Sequence, residues 1–110
     1  MSKHDKLIKQ VEHRLKRTHP ECLFFSNHEY KLKRKAGEAD LLMINPKKQY
    51  AYAFEIKTFD RDKSRKKASF QLDKDRGYIR QEFGIKKTYC FYVHGYPKNF
   101  DYSIIKSKSI

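Results

Sequence analysis

The segment YAYAFEIKT, residues 50–58, is the most apolar run in a chain of which charged residues make up 35%. Side chains of a strand alternate between two faces, so the aromatic residues and Ile56 share one face. The alanines share the other face with Glu55 and Lys57. We expect the bulky face to pack into a core and the shallow alanine face to admit another group. Buried charges are costly unless they are paired or used, so Glu55 and Lys57 indicate a site.

Hydrophobic periodicity and turn residues predict the other elements of a single α/β domain spanning residues 1–110. Helices are predicted over residues 4–18 and 65–83, with Asp62 or Ser64 as the N-cap and Gly84 as the C-terminal cap of the second. Strands are predicted over residues 37–44, 49–59 and 87–95. Residues 22–25 and 29–35 form one strand or two paired strands joined near residues 26–27. Cys22 and Cys90 are expected to be free, buried thiols.

A turn sequence, Asn-Pro-Lys-Lys at residues 45–48, separates two of these strands and predicts a β-hairpin. On its first arm Glu38 and Asp40 share a face, and Glu38 is either an accessory ligand or, as we favour, an exposed strand residue. In such a hairpin Asp40 can lie beside Glu55 of the second arm, although the sequence does not define the register. The hairpin therefore predicts a pair of neighbouring carboxylates.

Two carboxylates a few ångströms apart repel each other, and a divalent cation removes that repulsion. Oxygen ligands of this kind favour Mg²⁺ or Mn²⁺. A lysine beside the metal can hold the attacking water or stabilise charge that develops on a phosphate. Asp40, Glu55 and Lys57 therefore suit metal-assisted hydrolysis of a phosphodiester bond.

Simpler explanations of these residues remain open. The acidic-x-lysine string also occurs at residues 29–31, Glu-Tyr-Lys, in a highly charged segment that we expect to be a solvated face. Glu55 and Lys57 could likewise form an ordinary surface ion pair, worth about 0–1 kcal/mol.

The sequence Gly-Glu-Ala-Asp at residues 37–40, followed by Glu-Ile-Lys at residues 55–57 within this order of elements, resembles the PD-(D/E)xK nuclease superfamily. The resemblance covers residues 4–95, and alanine stands before Asp40 where the family name has proline. It implies a restriction-endonuclease-like core, with a mixed central sheet in the order α-β-β-β-α-β flanked by helices. It also implies Asp40 and Glu55 as metal ligands, the carbonyl of Ile56 as a further ligand, and Lys57 as the catalytic lysine.

Three helical residues extend the resemblance. Resolvase-like members carry a glutamate on the first helix that helps to hold metal, and Glu12 is either the corresponding ligand or a solvated helix glutamate. Exonuclease-like and resolvase-like members often carry a glutamine on the second helix, where Gln71 is expected to support catalysis. Tyr78 falls on the same flank of that helix and is a candidate for contact with nucleic acid. Some relatives place a tyrosine four residues after the glutamine, where this chain has Asp75.

A net charge of +13 predicts a polyanionic partner. Cationic residues directly after the Lys57 strand are expected to meet phosphates: Arg61, Lys63, Arg65, Lys66 and Lys67. DNA is favoured over RNA as the nucleic acid. An anionic membrane is the weaker alternative, because no strongly amphipathic basic helix with exposed aromatic residues is present. The N-terminal segment lacks a long apolar stretch, so we expect a cytoplasmic or nuclear protein that is not secreted.

These observations predict a small Mg²⁺- or Mn²⁺-dependent nuclease. Nothing in the sequence resembles an added recognition domain, so we expect it to recognise a branch, flap, end or single strand rather than a defined sequence. By analogy with small Holliday-junction-resolvase-like enzymes, it could act as a homodimer. The alternative is a non-catalytic, basic nucleic-acid-binding module.

Overall fold

A mixed sheet of five strands forms the centre of the structure, a computed structural model that describes residues 2–104. The elements in chain order are α1 (Lys3–Thr18), β1 (Leu23–Leu32), β2 (Lys35–Asn45), β3 (Tyr50–Lys57), α2 (Asp62–Phe83), β4 (Lys87–Tyr96) and β5 (Asn99–Ile104). The strands lie in sequence order across the sheet. Among the strands within residues 2–104, only the β3–β4 pair is parallel, and α2 connects these two strands. The predicted α/β class and mixed sheet are confirmed, and β5 is an additional strand.

The first helix begins and ends where its sequence indicates. The side chain of Ser2 caps α1 by accepting a hydrogen bond from the backbone N–H of Asp5 at 3.1 Å. Leu7, Ile8 and Val11 form the buried stripe that packs on one face of the sheet. The helix ends at Thr18, because the residue before a proline, His19, avoids helical geometry.

The second helix begins earlier than its sequence predicts. It starts at Asp62 rather than at residue 65, and its N-cap residue is Arg61, which makes no capping side-chain hydrogen bond. The prediction of Asp62 or Ser64 as the cap is therefore wrong, and Asp62 instead places a negative charge in the first turn, where it is favourable. Gly84 ends the helix with φ 69°, as predicted, since glycine adopts left-handed geometry without strain.

The first strand is continuous, so the alternative of two strands joined near residues 26–27 is wrong. Asn27 has φ 47°, yet β1 pairs with β2 in one unbroken register on both sides of it. The reversal of the chain comes later, at Lys33, which has φ 58°. Asparagine tolerates positive φ better than most residues, which explains how the strand absorbs this irregularity.

Both faces of β3 are buried, and this corrects the expectation of a shallow open face. Phe54 and Ile56 pack into a core, as predicted, and α1 covers that core. Ala51 and Ala53 are fully buried beneath α2, in a cluster with Leu72 of that helix. The small side chains thus allow α2 to approach the sheet closely. What the alanines admit is a helix of the same chain.

The remaining expectations concern thiols and membrane contact. Cys22 and Cys90 are buried thiols that form no disulfide within residues 2–104, as predicted. Among residues 2–104, neither helix is long and apolar enough to cross a membrane.

The close packing of α2 on the alanine face predicts the effect of enlarging one alanine. Ala53→Leu should lower the free energy of unfolding by about 1–3 kcal/mol, because extra methylene groups in a filled core force neighbours apart. Ala36→Leu is a matched control on β2, where the parent alanine is exposed and the change should be close to neutral. Urea unfolding measures both. Equal losses in the two variants would contradict tight packing at Ala53.

Candidate functional site

The candidate site lies where β2 and β3 stop pairing. Their backbone register runs from Asn45↔Tyr50 to Leu41↔Phe54, and its next step places Asp40 opposite Glu55. There Oδ2 of Asp40 accepts a hydrogen bond from the backbone N–H of Ile56 at 2.7 Å. A side chain thus occupies the place of a backbone partner, and the predicted proximity of Asp40 to Glu55 is confirmed.

Glu55 and Lys57 lie together at the end of β3. The Nζ atom of Lys57 is 3.5 Å from Oε1 of Glu55. Glu55 is only 7% exposed, and its Oε2 atom has no hydrogen-bond partner among the described residues. Burial, followed by the negative charge of Asp40, raises the pKa of Glu55 to about 8. Burial also raises the pKa of Asp40, against the hydrogen bond from Ile56. The two carboxylates therefore resist being charged together.

His4, at the start of α1, reaches the same cluster and was missed by sequence reasoning. Its Nε2 atom donates a hydrogen bond to the carbonyl oxygen of Ile56 at 2.7 Å and lies 3.6 Å from Oδ2 of Asp40. The signal was available, because His4 precedes Leu7 and Ile8 by three and four residues and so shares their stripe. The imidazole N–H thus faces two oxygen atoms that the family resemblance assigns to a metal.

A second polar cluster links α2 to β1. Tyr30 donates a hydrogen bond to Oδ1 of Asp75 at 2.6 Å, and Nε2 of Gln71 donates to the same oxygen at 2.8 Å. Asp75 is fully buried, its Oδ2 atom has no hydrogen-bond partner within the described chain, and burial raises its pKa to about 7. Burial and Asp75 also raise the pKa of Tyr30. The negative charge of Asp75 contributes to the raised pKa of Glu55, which brings this cluster into the electrostatic environment of the site.

Tyr30 and Asp75 were also missed by sequence reasoning. The segment that contains Tyr30 was expected to be a solvated face, and Glu29 and Lys31 are indeed exposed, but Tyr30 is buried. Asp75 follows Gln71 by four residues, the spacing at which helical side chains meet, and this was the available signal. Glu38 is exposed, as expected.

Glu12 is not brought to the site. Its carboxylate lies 3.6 Å from Nζ of Lys16, on the next turn of α1. His4 and Glu12 are separated by about 12 Å along the helix axis. The helical angle of Glu12 suggested the correct side of the helix, but its height along the axis is wrong for contact with Asp40.

Tyr78 is built into the packing between α2 and β1. Its ring stacks on Tyr30 with the centroids 4.3 Å apart, and its hydroxyl is hydrogen-bonded to Nε2 of His28 at 2.8 Å. Tyr78 therefore supports Tyr30, and the structure does not present its ring as an open platform for a base.

The predicted basic segment is only partly available to a phosphate. Arg65 forms a bidentate pair with Asp60, at 2.7 and 2.9 Å, and its guanidinium lies over the ring of Tyr92. The guanidinium of Arg61 lies over the ring of Phe59 at 5.2 Å. Lys63, Lys66 and Lys67 are exposed. The structure thus places the three lysines in solvent and ties Arg65 to an acidic neighbour.

Comparisons with protein-family models, with curated proteins and with solved structures find no match to this chain. Within residues 2–104, no three His, Cys, Asp or Glu side chains form a group that could hold a metal ion.

The raised pKa of Glu55 predicts how stability depends on pH. The folded protein retains the Glu55 proton up to about pH 8, whereas the unfolded chain loses it near the ordinary value of 4.5. Between these values the folded state binds more protons, so the free energy of unfolding falls as pH rises. Glu55→Gln should weaken this dependence and, at a pH of about 9 in EDTA, raise stability by about 1–3 kcal/mol.

Urea unfolding between about pH 5 and about pH 9 measures this effect. Glu29→Gln, at an exposed position of β1, is the matched control and should keep the parent's pH dependence. A Glu55→Gln variant that loses stability with pH as steeply as the parent would show that Glu55 is already ionised in the folded protein.

Proposed function

We propose that this protein is a metal-dependent nuclease with a restriction-endonuclease-like core, which hydrolyses phosphodiester bonds in DNA. The observation that supports the proposal best is the position of Asp40 opposite Glu55, with Lys57 3.5 Å from the second carboxylate. These residues lie in a fold whose order over residues 3–96 is helix, strand, strand, strand, helix, strand. The same order and residue types led to the family resemblance.

The donor atoms at the site suit a hydrated Mg²⁺ or Mn²⁺ ion. Asp40 and Glu55 would supply carboxylate oxygens, and Oε2 of Glu55 is buried without a partner among the described residues. The carbonyl of Ile56 would supply a third oxygen. Mg²⁺ keeps several waters and binds through one or two carboxylates together with substrate phosphates, so a third acidic side chain is not required. The ion would polarise the phosphate and lower the pKa of a bound water.

Side chains of the protein would orient the water, stabilise charge on the phosphate and bind the phosphate backbone. Lys57 lies partly exposed beside Glu55, where its ammonium group can orient a water or stabilise charge on a phosphate oxygen. Gln71 is held by Asp75 and Tyr30, so its amide is oriented before a substrate arrives. Lys63, Lys66 and Lys67 lie in the first two turns of α2 and would attract the phosphate backbone without reading its sequence.

The proposed substrate is DNA recognised by its structure: a branch, flap, end or single strand. The described elements form one sheet with a helix on each face, and no additional unit for reading bases is present among residues 2–104. Cleavage of both strands of a branch by such a small protein would require two copies, so the proposal includes a homodimer of the Holliday-junction-resolvase-like kind.

A non-catalytic, basic nucleic-acid-binding module is the second candidate. The observation that favours it is the hydrogen bond from His4 to the Ile56 carbonyl, which engages an oxygen that a metal would need. In this case Glu55, whose pKa burial and Asp40 raise to about 8, would be mostly protonated at neutral pH, and the site would hold no metal. A calorimetric titration with Mn²⁺ distinguishes the two candidates, because only the nuclease should bind the ion at this site.

Cleavage should require both an acidic residue and the lysine. Incubation with Mg²⁺ or Mn²⁺ on single-stranded, duplex, flap and four-way-junction DNA should reveal cleavage that EDTA abolishes. Asp40→Asn should reduce it to background, and Lys57→Met should slow it by roughly 100-fold or more, as for loss of a group that assists proton transfer. Glu38→Gln is the matched control on β2, because Glu38 is exposed and should not be needed. Variants that fold and cut as well as the parent would refute the nuclease assignment.

The position of His4 predicts that it competes with a metal ion. Its Nε2–H faces the Ile56 carbonyl and Asp40, so a cation can take these oxygens only after the imidazole moves away. Loss of one hydrogen bond of about 0.5–1.5 kcal/mol corresponds to a gain of roughly twofold to tenfold in Mn²⁺ affinity for His4→Ala. Isothermal titration calorimetry measures this affinity without reference to cleavage. Weaker Mn²⁺ binding in His4→Ala would instead identify the imidazole as a ligand.

A further inference from the structure

A groove of about 660 Å³ lies between α1 and the turn that joins β4 to β5. Cationic side chains dominate it, and none of the residues that line it is acidic. The cationic residues are Lys9, Arg14 and Arg17 of α1 and Lys98 of the turn, and His13 of α1 lies among them. All five are exposed. This charge is separate from the basic segment after β3 and is not explained by the candidate site.

Contacts between α1 and the β4–β5 turn hold the two walls of the groove together. Gln10 of α1 accepts a hydrogen bond from the backbone N–H of Lys98, which ties the helix to the turn. The guanidinium of Arg14 lies 4.7 Å from the centroid of the Phe100 ring, an arrangement that holds the arginine in place. The two elements therefore present their charges in a defined arrangement.

The spacing of the charges suits a linear polyanion. The charges of Lys9 and Arg17 are eight residues apart, with His13 midway between them, so they define a line along α1 about 12 Å long. Each strand of a duplex carries one phosphate per roughly 3.4 Å of helix axis, so this line spans about four phosphates. Lys98 adds charge from the opposite wall. The exposed lining is polar and charged, which favours a phosphate backbone over a lipid surface, where apolar anchors are needed.

We propose that this groove is a second binding site, which holds the phosphate backbone of a nucleic-acid strand at a distance from the candidate site. His4 is at the candidate site and α1 is one continuous helix, so the groove extends from roughly 8 to roughly 20 Å beyond His4 along the axis. At 3.4 Å per nucleotide, this corresponds to roughly two to six nucleotides. The inference rests on the proposed function for the identity of the polymer, but it does not require cleavage.

Fluorescence anisotropy with labelled single-stranded DNA in EDTA tests the groove. The triple variant Lys9→Gln/Arg17→Gln/Lys98→Gln should bind an oligonucleotide of about 30 nucleotides at least tenfold more weakly than the parent. The slope of log K against log salt should become shallower by about 2, since each lost phosphate contact contributes roughly 0.7 for single strands.

The matched control removes the same charge elsewhere. Lys47→Gln/Lys48→Gln/Lys86→Gln alters three exposed lysines, two in the β2–β3 turn and one between α2 and β4. It should keep the affinity within about threefold and the salt slope nearly unchanged if contacts are local rather than diffuse. Thermal unfolding of both variants should match the parent, because all six parent side chains are exposed.

Two results would overturn the proposal. Equal losses in the two triple variants would show that net charge, not the groove, attracts DNA. Retained DNA binding in the groove variant, together with loss of binding to phosphatidylserine vesicles, would assign the groove to a membrane surface. The experiment also separates this site from the proposed nuclease, because the groove can bind DNA even if the parent protein shows no cleavage.

Discussion

The hydrogen bond from the backbone N–H of Ile56 to the carboxylate of Asp40 is the contact on which the candidate site depends. It forms where β2 and β3 stop pairing, so a side chain satisfies a backbone donor that a neighbouring strand would otherwise take. The bond fixes Asp40 beside Glu55 and leaves the Ile56 carbonyl to accept from His4. A break in the backbone pairing is thus what gives polar side chains access to the middle of a buried sheet.

The cost of this arrangement is three buried carboxylates, on Asp40, Glu55 and Asp75. Each has a raised pKa, chiefly through burial, and repulsion among them contributes to the shifts at Glu55 and Asp75. Cationic side chains offset part of these shifts: Lys57 acts on both Glu55 and Asp40, and Lys74 acts on Asp75. The cluster can be stabilised by protons, by that lysine or by a bound cation, and these compete for the same oxygens. Competition between protons and a cation makes metal binding at such a site stronger at higher pH.

The sequence was sufficient to predict side-chain positions where the two-residue alternation of a strand or a short turn determined them. Alternation in YAYAFEIKT placed Glu55 and Lys57 on one face, and the turn at residues 45–48 brought Asp40 opposite Glu55. It was insufficient where position depends on height along a helix or on packing between distant elements. Glu12 was on a plausible side of α1, but the end of the helix that reaches the site belongs to His4. The expectation of an open alanine face was wrong, because the residue pattern of a strand does not show which helix will cover it.

One helix thus connects the candidate site with the basic groove. The buried stripe of α1 fixes it on the sheet, so neither the His4 end nor the Arg17 end can move independently. A strand that engages both must follow a path whose length and direction α1 sets. Inserting one residue between His4 and Lys9 would rotate the groove residues by about 100° relative to His4 and would change that path. A nucleic-acid substrate would therefore be selected by the geometry of its backbone, which agrees with recognition of structure rather than of base sequence.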